Sequence, residues 1–362
     1  MNVPLGSPAF YFHPMSQTAN PIQLWKLAIP IAIGVSVSAY LVATNLNLDA
    51  LKAVQITGHL VFWLLISALT VVSRDAAFMY KVRLSTGNQI TWAKTFQTIT
   101  LWEFGVCVTP KISIMPFVLY LLIKSGISSG RSVAILMLNG FFDNLAFVAV
   151  FTTLYLFIGN DILTFSFLCP DLEGHQIMQG IRHFADLAWI GYVLILSACT
   201  FLGTALFVMP HTTKKFFHQL AEINWLSRFK QQLIYVGDEI EMTSNEFKNK
   251  PRSFWVKMSV ATLVNWVSRY LLAVSLFYAF AVNDISFLHA LSRQYVLWIF
   301  TAIPSTPGAS GVAELSFIAL NCEFMPAGLS TAIALVWRLY SYYLYILLGL
   351  IVLPKWAKQI AS

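Results

Sequence analysis

Eight ionisable residues stand inside or against long apolar runs: Arg74, Asp75, Glu103, Lys111, Asp143, Arg269, Glu314 and Arg338. Four are basic and four acidic, so mutual pairing would neutralise the set. A charge at the centre of a bilayer costs ~2.5–3.5 kcal/mol on insertion scales, so such groups face a cavity or a partner. Arg74, Asp75 and Arg269 read most simply as ion pairs or snorkelling side chains. Asp143, Glu314 and Arg338 lie deeper or beside broken backbone, which points to function. The densest chemistry is Pro304-Ser-Thr-Pro-Gly-Ala-Ser-Gly-Val-Ala-Glu314. Pro307 halts a preceding helix, while Gly308 and Gly311 permit tight turns. A helix starting near Ser310 turns its first amides inward, and free amides with the helix dipole make an anion site; phosphate is the obvious anion in a membrane. Glu314, one turn in, is expected to pair with Arg338 or Arg269, or to meet a cationic or hydroxyl-rich head group. A tight helix-packing turn is the plainer alternative.

The elements that must position these residues follow from composition. The 362 residues are 57% hydrophobic and 11% charged, with 28 Phe, 14 Tyr and 11 Trp. Soluble domains are about 25% charged, so a cytosolic enzyme, a secreted disulfide scaffold and a disordered chain are excluded. The fold expected is an all-α polytopic membrane protein. Runs long enough to cross a ~30 Å core occur at about 25–45, 58–80, 131–158, 186–210, 254–282 and 327–354. Two more apolar segments, 92–124 and 290–322, are interrupted by Val-Thr-Pro-Lys at 108–111 and by the 304–311 turn. Their short halves suit re-entrant helical hairpins, and broken backbone at membrane depth survives only when buried in protein or lining a cavity. About six full spans plus two re-entrant hairpins are therefore expected.

Charge placement orients the chain. With the N-terminus inside and both broken segments as hairpins, sixteen Lys/Arg, Lys81 among them, fall on the cytoplasmic side and three (Lys52, Arg182, Arg293) on the other. This positive-inside bias accounts for the net charge of +7 without nucleic acid. It places both termini in the cytoplasm of a cell (inner or plasma) membrane, with a tail at 1–24, a transmembrane domain at 25–354 and a tail at 355–362. No cleavable signal peptide is expected. The first hairpin then enters from inside and the second from outside. Thr109-Pro110 precedes Asp143 as Thr306-Pro307 precedes Arg338, an arrangement matching an inverted repeat with a site near the midplane. In 211–253, apolar residues from Phe216 to Ile240 recur every three or four positions, marking an amphipathic connector on the inner leaflet or the bundle. The four cysteines are widely spaced, which supports no metal or redox motif; Cys169 and Cys322 both fall outside, where a disulfide is open to them. No cofactor or metal site is expected.

Ile303–Glu314 resembles the Pro-x-Thr-Pro-Gly-Gly-x-Gly-x-x-Glu signature of the flippase-like transmembrane region of lysylphosphatidylglycerol synthases. Arg338, Tyr342 and Gly349 fit the Arg-x-x-x-Tyr…Gly pattern that follows it, and Pro110 and Asp143 stand where the first-half pattern has Pro and Asp. The chain departs from the pattern at Ala309 (Gly in the family), at Ile114–Phe117 and at Asn139-Gly140. The resemblance implies translocation of a phospholipid or lipid-linked polar head group between leaflets, with no ATPase in the chain, no aminoacyl-transfer domain and a homo-oligomer open. Arg338 and the 308–311 turn (Gly308, Ser310, Gly311) are expected to hold the phosphate, with Glu314 and Asp143 at the remaining polar group and Pro307 and Arg269 completing the substrate site. Competing readings are a membrane-embedded transferase or accessory in lipid or glycan synthesis, and a small-solute secondary transporter. Gly308-Ala309-Ser310-Gly311 also matches the Gly-x-Ser-Gly of rhomboid proteases, but no His follows Ser310 to serve as base.

Overall fold

A computed structural model describes residues 32, 34–36, 39–40, 43–109, 111–163, 184–223, 229–280, 285–302 and 306–361. Among them there is no strand, and five helices are long and apolar enough to cross a membrane. The chain is an all-α polytopic membrane protein. Most of the expected span at 25–45 lies outside the described residues, as does Cys169.

After a short helix at Leu48–Lys52, the main helices are α1 (Gly58–Ser85), α2 (Trp92–Val108), α3 (Lys111–Lys124), α4 (Ser129–Ile158), α5 (Phe184–Gly203), α6 (Pro210–Ala221), α7 (Lys230–Lys248), α8 (Arg252–Phe280), α9 (Phe287–Ala302), α10 (Val312–Asn321), α11 (Ser330–Arg338) and α12 (Leu344–Ala361). A π-helical turn, Leu339–Tyr343, joins α11 to α12. The starts of α1 and α2 are set locally: Thr57 and Thr91 accept hydrogen bonds from the amides of Leu60 and Lys94, satisfying donors a helix leaves open.

The two interrupted segments fold back on themselves. Thr109, next to Pro110, is extended (φ −117°, ψ 152°), the conformation a following proline imposes, and it ends α2. Thr98 Oγ1 then lies 3.3 Å from Ser125 Oγ; on a straight helix, at 1.5 Å per residue, these atoms would stand about 40 Å apart. A Cβ on Gly105 would fall 2.6 Å from the Phe117 ring, so this crossing requires glycine. The second hairpin is tied at its base by Gln294 Nε2 donating to Asn321 Oδ1 (2.8 Å) and Arg293 Nη2 to Glu323 Oε1 (2.7 Å).

The hairpins approach from opposite ends of one helix pair. Helices α1 and α8 run antiparallel, with Trp63 stacked on Tyr278, Ser67 Oγ 2.8 Å from Ser275 Oγ, and Asn265 Nδ2 donating to the Arg74 carbonyl. The first hairpin follows the C-terminus of α1 by six residues and the second follows the C-terminus of α8 by six, so their bases lie at opposite ends of the pair. Their tips meet: Pro307–Ala309 packs on α2, and a Cβ on Gly308 would lie 3.2 Å from the Cys107 carbonyl.

The connector differs from its expectation. One continuous stripe predicts one helix, but two form, α6 and α7, packed on each other with α7 also against α4. Phe216 and Phe229 stay exposed while Ile240 is buried, because among the described residues it is the α7 end of the stripe that packs on α4. Glu239 on α7 accepts hydrogen bonds from the Arg131 amide (3.0 Å) and the Ser128 hydroxyl, thereby capping α4, whose own N-cap Ser128 makes no side-chain cap. Within the connector, hydrogen bonds from Lys214 hold the carboxyls of Asp238 and Glu241 below their usual range. Glu239→Ala is expected to cost about 1 kcal/mol, the worth of a helix cap. Hydrogen exchange should show faster opening at the start of α4 and along α7 and unchanged protection in α8.

Candidate functional site

At the meeting point of the hairpins the backbone is left-handed at Gly308 (φ 59°), Ala309 (φ 54°) and Gly311 (φ 86°). Those angles suit glycine and strain a residue bearing Cβ. Glu314 sits one turn into α10, where its Oε2 accepts from the Gly311 amide at 2.8 Å, so the helix's own carboxylate occupies part of the amide site foreseen for an anion. Arg338, the last residue of α11 before the π turn, donates from Nε to Glu314 Oε1 (2.8 Å) and from Nη2 to Glu314 Oε2 (3.1 Å) and the Gly308 carbonyl (3.1 Å). Its guanidinium also lies 4.7 Å from the Tyr342 ring centroid. Arg338 is 5% exposed and Glu314 6%. The pair therefore pins the turn from inside the protein, away from any lipid-facing surface.

Gly308 tests the tightness of this junction. A Cβ there would stand 2.2 Å from Tyr342 Cε2, a clash added to the left-handed strain. Gly308→Ala is expected to destabilise by about 2–4 kcal/mol. Gly126→Ala, at φ 99° with open space around it, carries only the strain of about 1–2 kcal/mol. Chemical unfolding in detergent compares the two.

A second cluster lies alongside. Arg74 donates to Asp75 Oδ1 from Nε (3.0 Å) and Nη2 (2.9 Å), and Tyr345 Oη donates to Asp75 Oδ2 at 2.7 Å. Glu103 on α2 receives Arg269 Nη2 at 2.7 Å, with Arg74 Nη2 at 3.9 Å. A third holds Asp143, at the middle of α4, where Oδ1 accepts from Lys81 Nζ (2.5 Å) and Trp266 Nε1 (2.6 Å). Lys81 corrects the charge map: counted on the cytoplasmic side, it is 1% exposed and serves as the buried counter-ion of Asp143. Ser67, Arg74 and Lys81 recur every seven residues on one helix face, and the structure buries all three.

The structure thus joins Gly308, Gly311, Glu314 and Arg338 in one knot, with the Ser310 backbone in its turn and Ala309 buried beside it. Pro307 contributes its backbone to the same turn; Pro304 lies outside the described residues. Asp143 and Arg269 belong to the neighbouring clusters, linked through α8, which carries both Trp266 and Arg269. Nothing is described of the Lys111 side chain. Sequence reading missed Lys81, Trp266 and Tyr345 as partners, because their roles depend on residues far away in the chain.

No solved structure matches the chain. A UPF0104 membrane protein from Archaeoglobus fulgidus is 30% identical over 111 residues, 31% of this chain and 33% of that relative, so the similarity spans about a third of the curated relative's length. Residues 27–349 match the family described as the lysylphosphatidylglycerol synthase TM region, and with nearly its whole length inside that match the chain belongs to this family.

Proposed function

We propose that this protein carries a phospholipid or lipid-linked polar head group between the leaflets of a cell membrane, without an ATPase of its own. The observation that carries the reading is the contact between two opposed hairpin tips, Gly308 against the Cys107 carbonyl, flanked by ion pairs that each have a buried partner. Moving a charged head group through hydrocarbon is costly, and polar groups at such a junction lower that barrier. The order long helix, hairpin, long helix occurs twice, in α1–α4 and α8–α12, with α1 antiparallel to α8; we read it as an inverted repeat. In this reading both hairpins are re-entrant, and the base of the first, with Lys94, Lys124 and Arg131, faces the cytoplasm. The turn at 307–311 and Arg338 meet the phosphate only when Glu314 releases them. Glu314, once released, and Asp143 face the rest of the head group, and Arg269 lines the path beside them.

Reconstituted vesicles holding a fluorescent phosphatidylglycerol, quenched from outside by an impermeant reductant, test this. The expected result is leaflet exchange well above protein-free vesicles. Exchange no faster than in protein-free vesicles across anionic, zwitterionic and neutral lipids rejects the reading. Solute flux indifferent to lipid composition favours the secondary transporter instead.

A further inference from the structure

Between α8, α9 and α11 lies a cavity of about 110 Å³ whose lining includes Arg74, Arg269, Tyr270, Gln294, Trp298 and Ser341. Its ionised lining residues are two guanidiniums, and no carboxylate lines it. Arg269 meets Glu103 through Nη2 alone. Its Nε is buried with no hydrogen-bond partner, and the Tyr270 hydroxyl, also buried, has none. Buried donors without a partner are rare in folded proteins, and these two stand on adjacent residues of the cavity lining. The Arg269 side chain keeps 31% of its surface exposed although it sits inside a spanning helix. Gln294, at the base of the second hairpin, is held by its bonds to Asn321 and the Ala290 carbonyl.

We propose that this cavity is a subsite for a phosphoryl anion, seated by Arg269 and Tyr270 with Arg74 behind them. A guanidinium matches phosphate oxygens in geometry as well as charge. The carboxylates of Asp75 and Glu103, paired with Arg74 and Arg269, keep the cluster near neutral, so the anion is held shallowly and can leave, as transport requires. The site lies beside the Arg338–Glu314 knot and differs from it in having donors unspent. As the seat of a lipid phosphate it rests on the function proposed above; as an anion site it does not.

The test is equilibrium binding to the full chain in maltoside micelles, using radiolabelled inorganic phosphate, a short-chain phosphatidylglycerol and the diacylglycerol of the same chain length. The phosphate-bearing probes are expected to bind and the diacylglycerol to bind at least tenfold more weakly. Arg269→Gln should lower phosphatidylglycerol affinity at least tenfold. Tyr270→Phe should lower it about three- to tenfold without lowering the melting temperature, because deleting a hydroxyl that has no protein partner removes no structural bond. Unchanged affinity in both variants, or diacylglycerol binding as well as phosphatidylglycerol, overturns the subsite. Binding of inorganic phosphate alone upholds an anion site and rejects the lipid. Phosphatidylglycerol binding lost in Arg269→Gln, in a wild-type protein that moves no lipid, upholds the subsite and rejects translocation.

Discussion

Glu314→Ala is expected to lower stability by about 3–5 kcal/mol, the cost of stranding one partner of a buried ion pair. Arg338 would lose both carboxylate bonds and keep the Gly308 carbonyl and the faces of Tyr342 and Trp337. The Gly311 amide would lose its acceptor in the same step. Desolvation explains the size: with both side chains under 10% exposed, water cannot replace the lost partner. The double substitution Glu314→Leu with Arg338→Met should recover most of that loss, since an apolar pair of similar volume is often neutral or better than a buried salt bridge. Chemical unfolding of the two variants in micelles separates the cases. A double variant as unstable as Glu314→Ala would show that the turn depends on the charges themselves. If translocation is the function, the double variant folds and moves no lipid.

Asp143→Asn is expected to have the next largest effect, about 3 kcal/mol. Lys81 is 1% exposed and its hydrogen-bond acceptor is Asp143, so neutralising the carboxylate leaves an ammonium in apolar surroundings. Trp266 retains an oxygen acceptor on asparagine, and the loss therefore belongs to the charge and not to the indole bond. Adding Lys81→Met should restore stability to within about 1 kcal/mol of the parent. If Asp143→Asn proves neutral, Lys81 is not a true counter-ion and the intramembrane clusters matter less than proposed. The reverse change, Lys81→Met alone, should cost less, because Asp143 keeps 30% of its side chain exposed and the Trp266 bond besides.

The helical membrane class and both chain breaks could be read from the sequence alone, because each has a cause that acts within a few residues. A window of apolar side chains must leave water whatever surrounds it. Pro110 forces Thr109 out of the helix wherever the segment sits. The glycines of the 308–311 turn likewise announce left-handed backbone, and the Glu314–Arg338 pairing was among the options their positions allowed. Other features were decided only by the tertiary fold. Lys81 and Asp143 stand 62 residues apart, and Arg269 and Glu103 stand 166 apart. No local pattern distinguishes Lys81 at the end of an apolar run from a snorkelling cation in a loop; the packing of α1 on α4 and α8 does. The connector's single stripe likewise became two helices once α7 met α4. The physical reason is range: backbone conformation and hydropathy are settled by near neighbours, whereas a buried charge is tolerable only beside a partner that folding delivers from elsewhere.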